Sequence, residues 1–303
     1  MEILNKDSAL VTSDKLDLFT VPPTVIPSVE WIKRVPVCPI GDIRESRIIE
    51  FYIPGSVEDY IDLSGIKVEI EAKILKAADS SDLLDADLDK VTLTELPLDG
   101  NFSNVEVSLN ERVIENSNNL RAWQIHTQML CNDDENAIKS ERSVEGVYWN
   151  SPGKSDSLTK AENSAIDLRK IYTKQEFRLR GPLRIGICQQ HKLLIPGVSL
   201  RIKFLKNEQA HMIVTTTAAK DDYKYNLNKV SLIVPYVRLI RTASEAVEEK
   251  LRESRLVYSF ERIRNSYVSI PKAETSYISE GIYSGEFLLS ILFIKLCCRK
   301  SLL

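Results

Sequence analysis

The chain has 303 residues, 43% of them hydrophobic and 27% charged, which is ordinary for a folded globular protein and not for a disordered one. Its 40 basic and 43 acidic residues give a net charge of −3, so it lacks the overall basic excess with which nucleic-acid binders neutralise phosphates. The five cysteines are odd in number and widely spaced, which favours a reducing compartment over a disulfide framework (Cys38, Cys131, Cys188, Cys297 and Cys298). No basic segment followed by an apolar run opens the chain, so we expect an intracellular protein rather than a secreted one.

Residues 1–30 predict an extended N-terminal arm. Pro22, Pro23 and Pro27 fix their own backbone and bias the preceding residues away from helix. Two arrangements stay open: a strand laid along the domain, or an arm that reaches a neighbouring subunit.

Alternating apolar and polar residues then predict β-strands, because successive side chains of a strand point to opposite faces. Three runs each place their apolar residues on one face: Ile49, Phe51 and Ile53; Ile66, Val68, Ile70, Ala72 and Ile74; Val105, Val107 and Leu109. After the third run, Asn110-Glu111 predicts a tight turn into Val113. Asn tolerates the positive φ of such a turn, whereas glycine would be less strained than Glu111.

Two acidic stretches lie between these runs. Glu58, Asp59 and Asp62 could indicate a calcium site, but their spacing lacks the pattern of a calcium-binding loop, so a solvated loop is favoured. Residues 76–92 also predict an exposed loop.

The period then changes to that of an amphipathic helix, from Leu120 to Cys131. Arg121, Gln124 and Gln128 form one side of its wheel, and apolar residues form the rest. Asp133 or Asp134 is placed to cap a second short helix. Residues 141–162 predict a polar loop.

Residues 176–241 hold the densest strand pattern in the chain. Its alternating runs are Leu183 to Ile187, Val198 to Phe204, Tyr223 to Leu227, and a last strand near Val230 to Arg241. Pro235 cannot donate to a ladder, so it predicts a bulge or an edge in that last strand. Together these runs predict an antiparallel β-sandwich.

The C-terminal part begins with a short helix that Ser244 could cap. Two strand-like runs follow, Leu256 to Phe260 and Tyr267 to Ile270. The apolar run from Phe287 to Cys298 is shorter than the roughly 20 residues that a spanning helix needs, so we expect no membrane span. Arg299-Lys300 gives only a weak indication of a membrane-surface anchor.

Catalytic signatures are missing from the sequence, and we assign no catalytic, cofactor-binding or metal site. Cys188 and His191 have the spacing of half a zinc site, but no second pair follows, which favours a buried cysteine beside a loop histidine. His126 and His211 are interpreted as surface or packing residues. The adjacent pair Cys297-Cys298 leaves palmitoylation or chance open, with chance favoured.

Six segments, in this order and spacing, resemble the major capsid protein of Polinton (Maverick) virus-like transposons and their adintovirus relatives. They are Leu16 to Thr24, Ile49 to Leu63, Val105 to Asn110, Arg180 to Leu183, Leu193 to Val198 and Tyr267 to Lys272. The resemblance implies an all-β fold, a double jelly roll with short inserted helices. It also implies a structural role without catalysis, trimeric capsomers that contact other capsid subunits, and location in the virion. No small-molecule substrate and no direct nucleic-acid binding are expected.

On this resemblance, residues 31–241 form the first jelly roll, 242–254 a linker helix, and 255–285 the first strands of a second roll. A whole second roll should follow Gly285, but residues 286–303 form an atypical apolar tail, so we expect a truncated endogenous copy.

Two other functions stay open. A sugar- or peptide-binding β-sandwich, co-opted by a host, would need exposed aromatics on one face, with Tyr52, Trp149 and Tyr172 as candidates. A metal enzyme on a β scaffold would need clustered His and carboxylate ligands, which three scattered histidines do not favour.

Overall fold

The computed structural model describes residues 28–117, 121–132, 134–151, 154, 157–159, 161–216 and 221–260. Its strands are β1 (Val29–Val37), β2 (Ile48–Ile53), β3 (Tyr60–Ile61), β4 (Lys67–Lys76), β5 (Val91–Leu93), β6 (Phe102–Leu109), β7 (Arg112–Asn116), β8 (Phe177–Pro182), β9 (Leu200–Lys206), β10 (Ile213–Thr215) and β11 (Tyr223–Leu239). Its α-helices are α1 (Arg121–Asn132), α2 (Glu135–Ser140), α3 (Ile166–Thr173) and α4 (Arg241–Glu253).

Two antiparallel sheets form the body of the protein. One has the strand order β1-β11-β4-β8, with the short β3 also paired to β11, and the other has the order β2-β9-β6-β7. The chain crosses repeatedly from one sheet to the other, the late strands β9 and β11 lie between early ones, and β5 pairs with β10 in a separate two-stranded sheet. This is the strand order of a jelly roll, so the predicted all-β jelly-roll sandwich is confirmed.

The core lies between the two sheets, where the inward sides of the strands meet. All of the predicted inward residues of β2 and β4 are at most 4% exposed. Phe204 of β9 lies at the centre, with ring centroids 5.7 Å from Phe51 and 4.6 Å from Phe102. The sequence pattern therefore located the core correctly in these strands.

The predicted turn at Asn110-Glu111 joins β6 to β7. Both residues have positive φ, 45° for Asn110 and 65° for Glu111. The Asn110 side chain accepts a hydrogen bond from the Ser199 backbone at 2.9 Å, which fixes the turn against the start of β9.

Strand β11 differs from the prediction of separate strands, because Tyr223 to Leu239 is one 17-residue strand with a register shift between Leu227 and Lys229. Pro235 also lies in neither a bulge nor an edge strand. It pairs with Arg34 of β1 on one side. On the other side the ladder with β4 ends at Ile233 and the ladder with β3 begins at Tyr236, so the missing N–H falls in the gap between two partners.

The predicted strand from Leu183 to Ile187 is wrong. Strand β8 ends at Pro182, and a 3₁₀ helix follows at Gly186–Cys188. The apolar residues of this run are buried as the pattern indicates, but after Leu183, whose N–H bonds the Ile66 carbonyl, its backbone has no strand partner. The Glu115 carboxylate accepts from the Gly186 and Ile187 N–H groups, each at 2.9 Å.

Several loop predictions also need correction. Residues 76–92 are not a fully exposed loop, because they contain a 3₁₀ helix at Asp85–Asp87 and the start of β5, with Val91 fully buried. A 3₁₀ helix at Arg142–Glu145 interrupts the predicted polar loop, and the pattern gave no sign of α3.

The C-terminal part differs in two further ways. Helix α4 begins at Arg241, with Ile240 at its N-cap, so Ser244 is not the cap. Residues 255–260 form no strand, whereas the predicted strand from Tyr267 to Ile270 and the run from Phe287 to Cys298 lie outside the described residues.

Candidate functional surfaces

Helix α4 leaves the sandwich directly after β11 and buries none of its 13 residues. Ala243, Val247 and Leu251 recur every four residues and therefore form one apolar row along the helix. Leu251 keeps 37% of its surface exposed. An isolated helix of this length is marginal in water, and most helical stability in proteins comes from packing of the apolar face. Ala243 and Val247 are half-buried, so within the described residues the apolar row of α4 is only partly covered.

The segment that follows α4 returns to the sandwich and is fastened there. The Tyr258 hydroxyl donates to the Leu193 carbonyl at 2.9 Å and accepts from the Ile195 N–H at 3.3 Å. Lys192 Nζ donates to the Val257 carbonyl at 2.8 Å. Val257 itself is 65% exposed. Residues 255–260 thus lie against the loop before β9 as an anchored, apolar, partly exposed strip.

Four strands form the outer edges of the two sheets, and three of them carry exposed apolar side chains. In the described part of the chain, β1, β8, β2 and β7 each pair along their length with one strand of their sheet. Ile32 on β1, Ile48 on β2 and Val113 on β7 are each at least half exposed. Edges of this kind offer unpaired backbone groups and apolar side chains to another chain.

The helical insertion between β7 and β8 is fixed to the sandwich by buried charges. Asp99 accepts from Arg121 at 3.1 Å and from Arg184 at 2.6 Å, and Arg184 also bonds Glu145 at 2.5 Å. Arg121 donates further to the Arg184 carbonyl at 2.8 Å. Each of these four side chains is at most 7% exposed. Because α1 supplies Arg121 and the 3₁₀ helix at Arg142–Glu145 supplies Glu145, the network holds the insertion in one position.

Burial sets the protonation behaviour of this network. It lowers the pKa of Arg121, although the charge of Asp99 acts in the opposite direction. It raises the pKa of Glu145, which Arg184 partly offsets. Each charged group of the network pairs with an opposite charge, and these pairs join the insertion to the sandwich.

The network also turns α1 from the orientation expected from the helical wheel, although Ile125 and Met129 are buried as expected. Arg121 and Gln124 point inward, whereas Trp123 and Leu130 are 50% and 61% exposed. His126 on the same helix packs edge-on against Trp149, with ring centroids 4.8 Å apart. The insertion therefore presents an apolar, partly aromatic face to solvent.

The candidate ligands from the sequence do not form a metal site. Cys188 is buried in its 3₁₀ helix, and His191 is exposed in the following loop. His211 is exposed as well. No group of three or more His, Cys, Asp or Glu residues that could hold a metal occurs in the described residues.

The acidic loop uses its carboxylates within the protein. Asp59 accepts from Arg238 at 2.8 Å, and Asp62 accepts from the backbone of Ser64 at 3.0 Å. Both carboxylates therefore have partners within the described part of the protein.

The three aromatic candidates for sugar or peptide binding lie in different surroundings. Tyr52 is on the outer side of β2 beneath Arg201, whose guanidinium carbon is 5.5 Å from its ring centroid. Trp149 packs on His126, and the Tyr172 hydroxyl donates to the Ser143 carbonyl at 3.2 Å.

The adjacent cysteines Cys297 and Cys298 lie outside the described residues. Within the described part, none of the helices has the length and apolar character needed to cross a membrane.

The fold resembles solved structures of viruses. A chain from the 3.5 Å cryo-EM structure of the Sputnik virophage has a TM-score of 0.56 and 14% sequence identity, and the match covers 78% of this chain and 53% of that chain. A chain of the PBCV-1 virus capsid (TM-score 0.43, 14% identity, 75% and 46% covered) and the mavirus major capsid protein (TM-score 0.40, 12% identity, 78% and 53% covered) are also similar, at scores too low to support an argument.

At these identities the similarity shows the fold alone. The chain spans about half the length of the Sputnik chain that it resembles. No protein-family model matches the sequence, and no curated protein is similar to it.

Proposed function

We propose that this protein is a structural subunit of a virus-type capsid, with one jelly roll that packs against neighbouring rolls. The proposal rests on the fold, in which one sheet has the strand order β1-β11-β4-β8 and the other has β2-β9-β6-β7. A Sputnik virophage chain matches this fold over 78% of the present chain. The partly exposed apolar row of α4 and the exposed apolar side chains of the sheet edges support it, because an assembling subunit needs apolar surfaces of this kind.

Within capsid proteins, the six sequence segments favour the Polinton and adintovirus group. By that resemblance we propose that a jelly roll of a neighbouring subunit packs on α4 and the strip 255–260, that three copies form a capsomer, and that the protein acts in the virion. The same resemblance suggests an origin in a virus-like transposon. The sugar- or peptide-binding alternative is less favoured, because Tyr52, Trp149 and Tyr172 do not form one platform.

The proposal is tested by sedimentation velocity of the full chain and of Leu251→Asp. We expect the wild type to form discrete oligomers and the variant to dissociate, because a carboxylate in the apolar row would be buried unpaired in the interface. Thermal unfolding of the variant should match the wild type, since α4 buries nothing in the roll.

Leu84→Asp is the matched control, because Leu84 is an exposed leucine outside α4. It should sediment like the wild type. A wild-type chain that stays monomeric up to its solubility limit would remove the support for this function.

A further inference from the structure

The helical insertion carries an aromatic row on its outer surface, which neither the fold nor the contacts of α4 explain. The row consists of Trp123 and His126 of α1 and of Trp149, which follows the 3₁₀ helix at Arg142–Glu145. The ring centroids of Trp123 and His126 are 6.2 Å apart, and those of His126 and Trp149 are 4.8 Å apart. Both indole rings stand steeply to the imidazole, at 77° and 87°, so the three rings form a stepped surface and not a closed stack.

The aromatic row is fixed to the protein and open to solvent. A small core that contains Ile125 and Met129 anchors α1, and Trp149 packs on the same core. Trp123 is 50% exposed, and His126 and Trp149 are each partly exposed. Neither indole N–H donates a hydrogen bond within the described residues. Two available donors on a fixed aromatic surface suit an uncharged ligand that offers carbonyl acceptors.

Surfaces lined by aromatic side chains are those on which proline-rich segments bind in the polyproline II conformation. Such a segment forms no internal hydrogen bonds, so its carbonyl groups are free to accept from the indole N–H groups. It advances about 3.1 Å per residue, so about four residues extend across the row. Because the conformation is largely formed before binding, little chain entropy is lost on binding.

The chain itself contains a segment of this kind. Residues 1–27 lie outside the described residues, and the described chain begins directly before β1. Within the undescribed part, the segment from Leu16 to Pro27 contains Pro22 and Pro23, and Asp17 is its only charged residue. The sequence thus supplies a proline-rich and nearly uncharged ligand of the class that the aromatic row suits.

The arm and the aromatic row belong to opposite edges of one sheet. The arm leads into β1 at one edge, whereas the insertion joins β7 to β8, and β8 is the other edge. The outer face between these edges carries ion pairs, among them Arg178 with Glu71 and Arg180 with Glu69, which do not suit an apolar arm. A contact between opposite edges of two copies is heterologous, and such contacts close into rings when the rotation permits. The arrangement therefore favours binding of the arm to another copy over binding to its own insertion.

We propose that the segment from Phe19 to Pro27 of one copy binds, in the polyproline II conformation, to the aromatic row of a neighbouring copy. The proposal selects the arm that reaches a neighbouring subunit over a strand laid along its own domain. It rests on the proposed assembly, because the partner is a second copy of this chain, and it adds a contact that does not involve α4.

The test is photo-crosslinking of the full chain with Phe19→benzoylphenylalanine, which keeps an aromatic side chain in the arm. At a protein concentration below saturation, a denaturing gel should show a product of twice the chain mass. Peptide mapping should locate its second end within residues 121–132 or 146–151. Trp123→Ala in the same chain should lower the yield at least about tenfold, because truncation of an interface tryptophan removes much of the binding energy. Tyr52→Ala is the matched control and should leave the yield unchanged, since Tyr52 is also a partly exposed aromatic residue but lies on β2.

A competition measurement leaves the aromatic row unchanged. A peptide of residues 16–27 should suppress the dimer product. The same peptide with Pro22→Gly and Pro23→Gly should compete at least several-fold more weakly, because glycine, unlike proline, does not fix the backbone in the extended conformation.

Three results would overturn the proposal: cross-links only at the mass of a single chain, cross-links that map outside the insertion, or equal yields in Trp123→Ala and Tyr52→Ala. Equal competition by the two peptides would show that the polyproline II conformation is not what binds. If sedimentation shows discrete oligomers but the dimer product is missing, this contact alone is wrong. A chain that stays monomeric would remove the proposed function as well.

Discussion

Substitution of Glu111 by glycine should stabilise the protein. Glu111 is the second residue of the turn between β6 and β7, with φ of 65°, and no side-chain contact compensates for that conformation within the described residues. A side chain in the left-handed region is disfavoured by about 1–2 kcal/mol. Glycine relieves this strain but loses more backbone entropy on folding, which offsets about 0.5–1 kcal/mol. The free energy of unfolding should therefore rise by about 0.5–1 kcal/mol in Glu111→Gly.

Urea denaturation followed by circular dichroism measures this difference. Glu141→Gly is the matched control, because Glu141 is also exposed but has a helical φ of −74°. At that position glycine relieves no strain and only loses more backbone entropy on folding. The free energy of unfolding of Glu141→Gly should therefore fall by about 0.5–1 kcal/mol. Equal destabilisation by both substitutions would show that Glu111 is not strained, and the description of the turn would be wrong.

Three further predictions concern the buried polar groups. Arg184→Met should lower the free energy of unfolding by about 3–5 kcal/mol, because it removes the cation that Asp99 and Glu145 share and leaves each buried carboxylate with one charged partner fewer. Arg178→Met, at an exposed arginine, should change it by less than about 1 kcal/mol, and urea denaturation distinguishes the two results. Burial and a hydrogen bond to Asp87 raise the pKa of Tyr223 to about 12, so its contribution to stability is complete below its unfolded-state pKa near 10 and is lost as the pH rises to about 12. Between about pH 10 and 12, the free energy of unfolding of Tyr223→Phe should therefore fall less steeply with pH than that of the wild type. The difference in slope should be at most about 1.4 kcal/mol per pH unit, and equal slopes would contradict the raised pKa of Tyr223. Burial also raises the pKa of Cys188, so peptide mapping after brief alkylation should find the exposed Cys38 modified in the native protein and Cys188 only after denaturation.

The sequence was informative wherever side-chain alternation follows strand geometry. The inward residues of β2 and β4 and the left-handed turn at Asn110-Glu111 were predicted correctly, since these depend on local rules of period and backbone conformation. The α2 cap was predicted for the same reason, because Asp134 accepts from the Ala137 N–H at 2.7 Å. The alternation did not indicate which strands pair, and the resemblance to capsid proteins implied the jelly-roll fold without a strand order.

Long-range polar contacts explain most of the errors. The run from Leu183 to Ile187 alternates like a strand, but Glu115, more than 60 residues earlier, takes its backbone N–H groups. Arg121 has the polarity of a surface residue and lies inward because Asp99 meets it there. Neither partner is visible in a local pattern, because each interaction depends on how distant segments meet in the fold. The apolar row of α4 could have been recognised from its spacing, but its incomplete burial among the described residues could not.

The central claim is that the jelly roll is an assembly subunit whose α4 row is covered by a neighbour. Cryo-EM of the particles formed by the full chain tests it most directly, because the jelly roll and α4 can be located in one map. We predict discrete particles of regularly arranged rolls, with Val247 and Leu251 in contact with an adjacent roll. Particles in which α4 faces solvent on every subunit, or a field of single rolls, would contradict the claim.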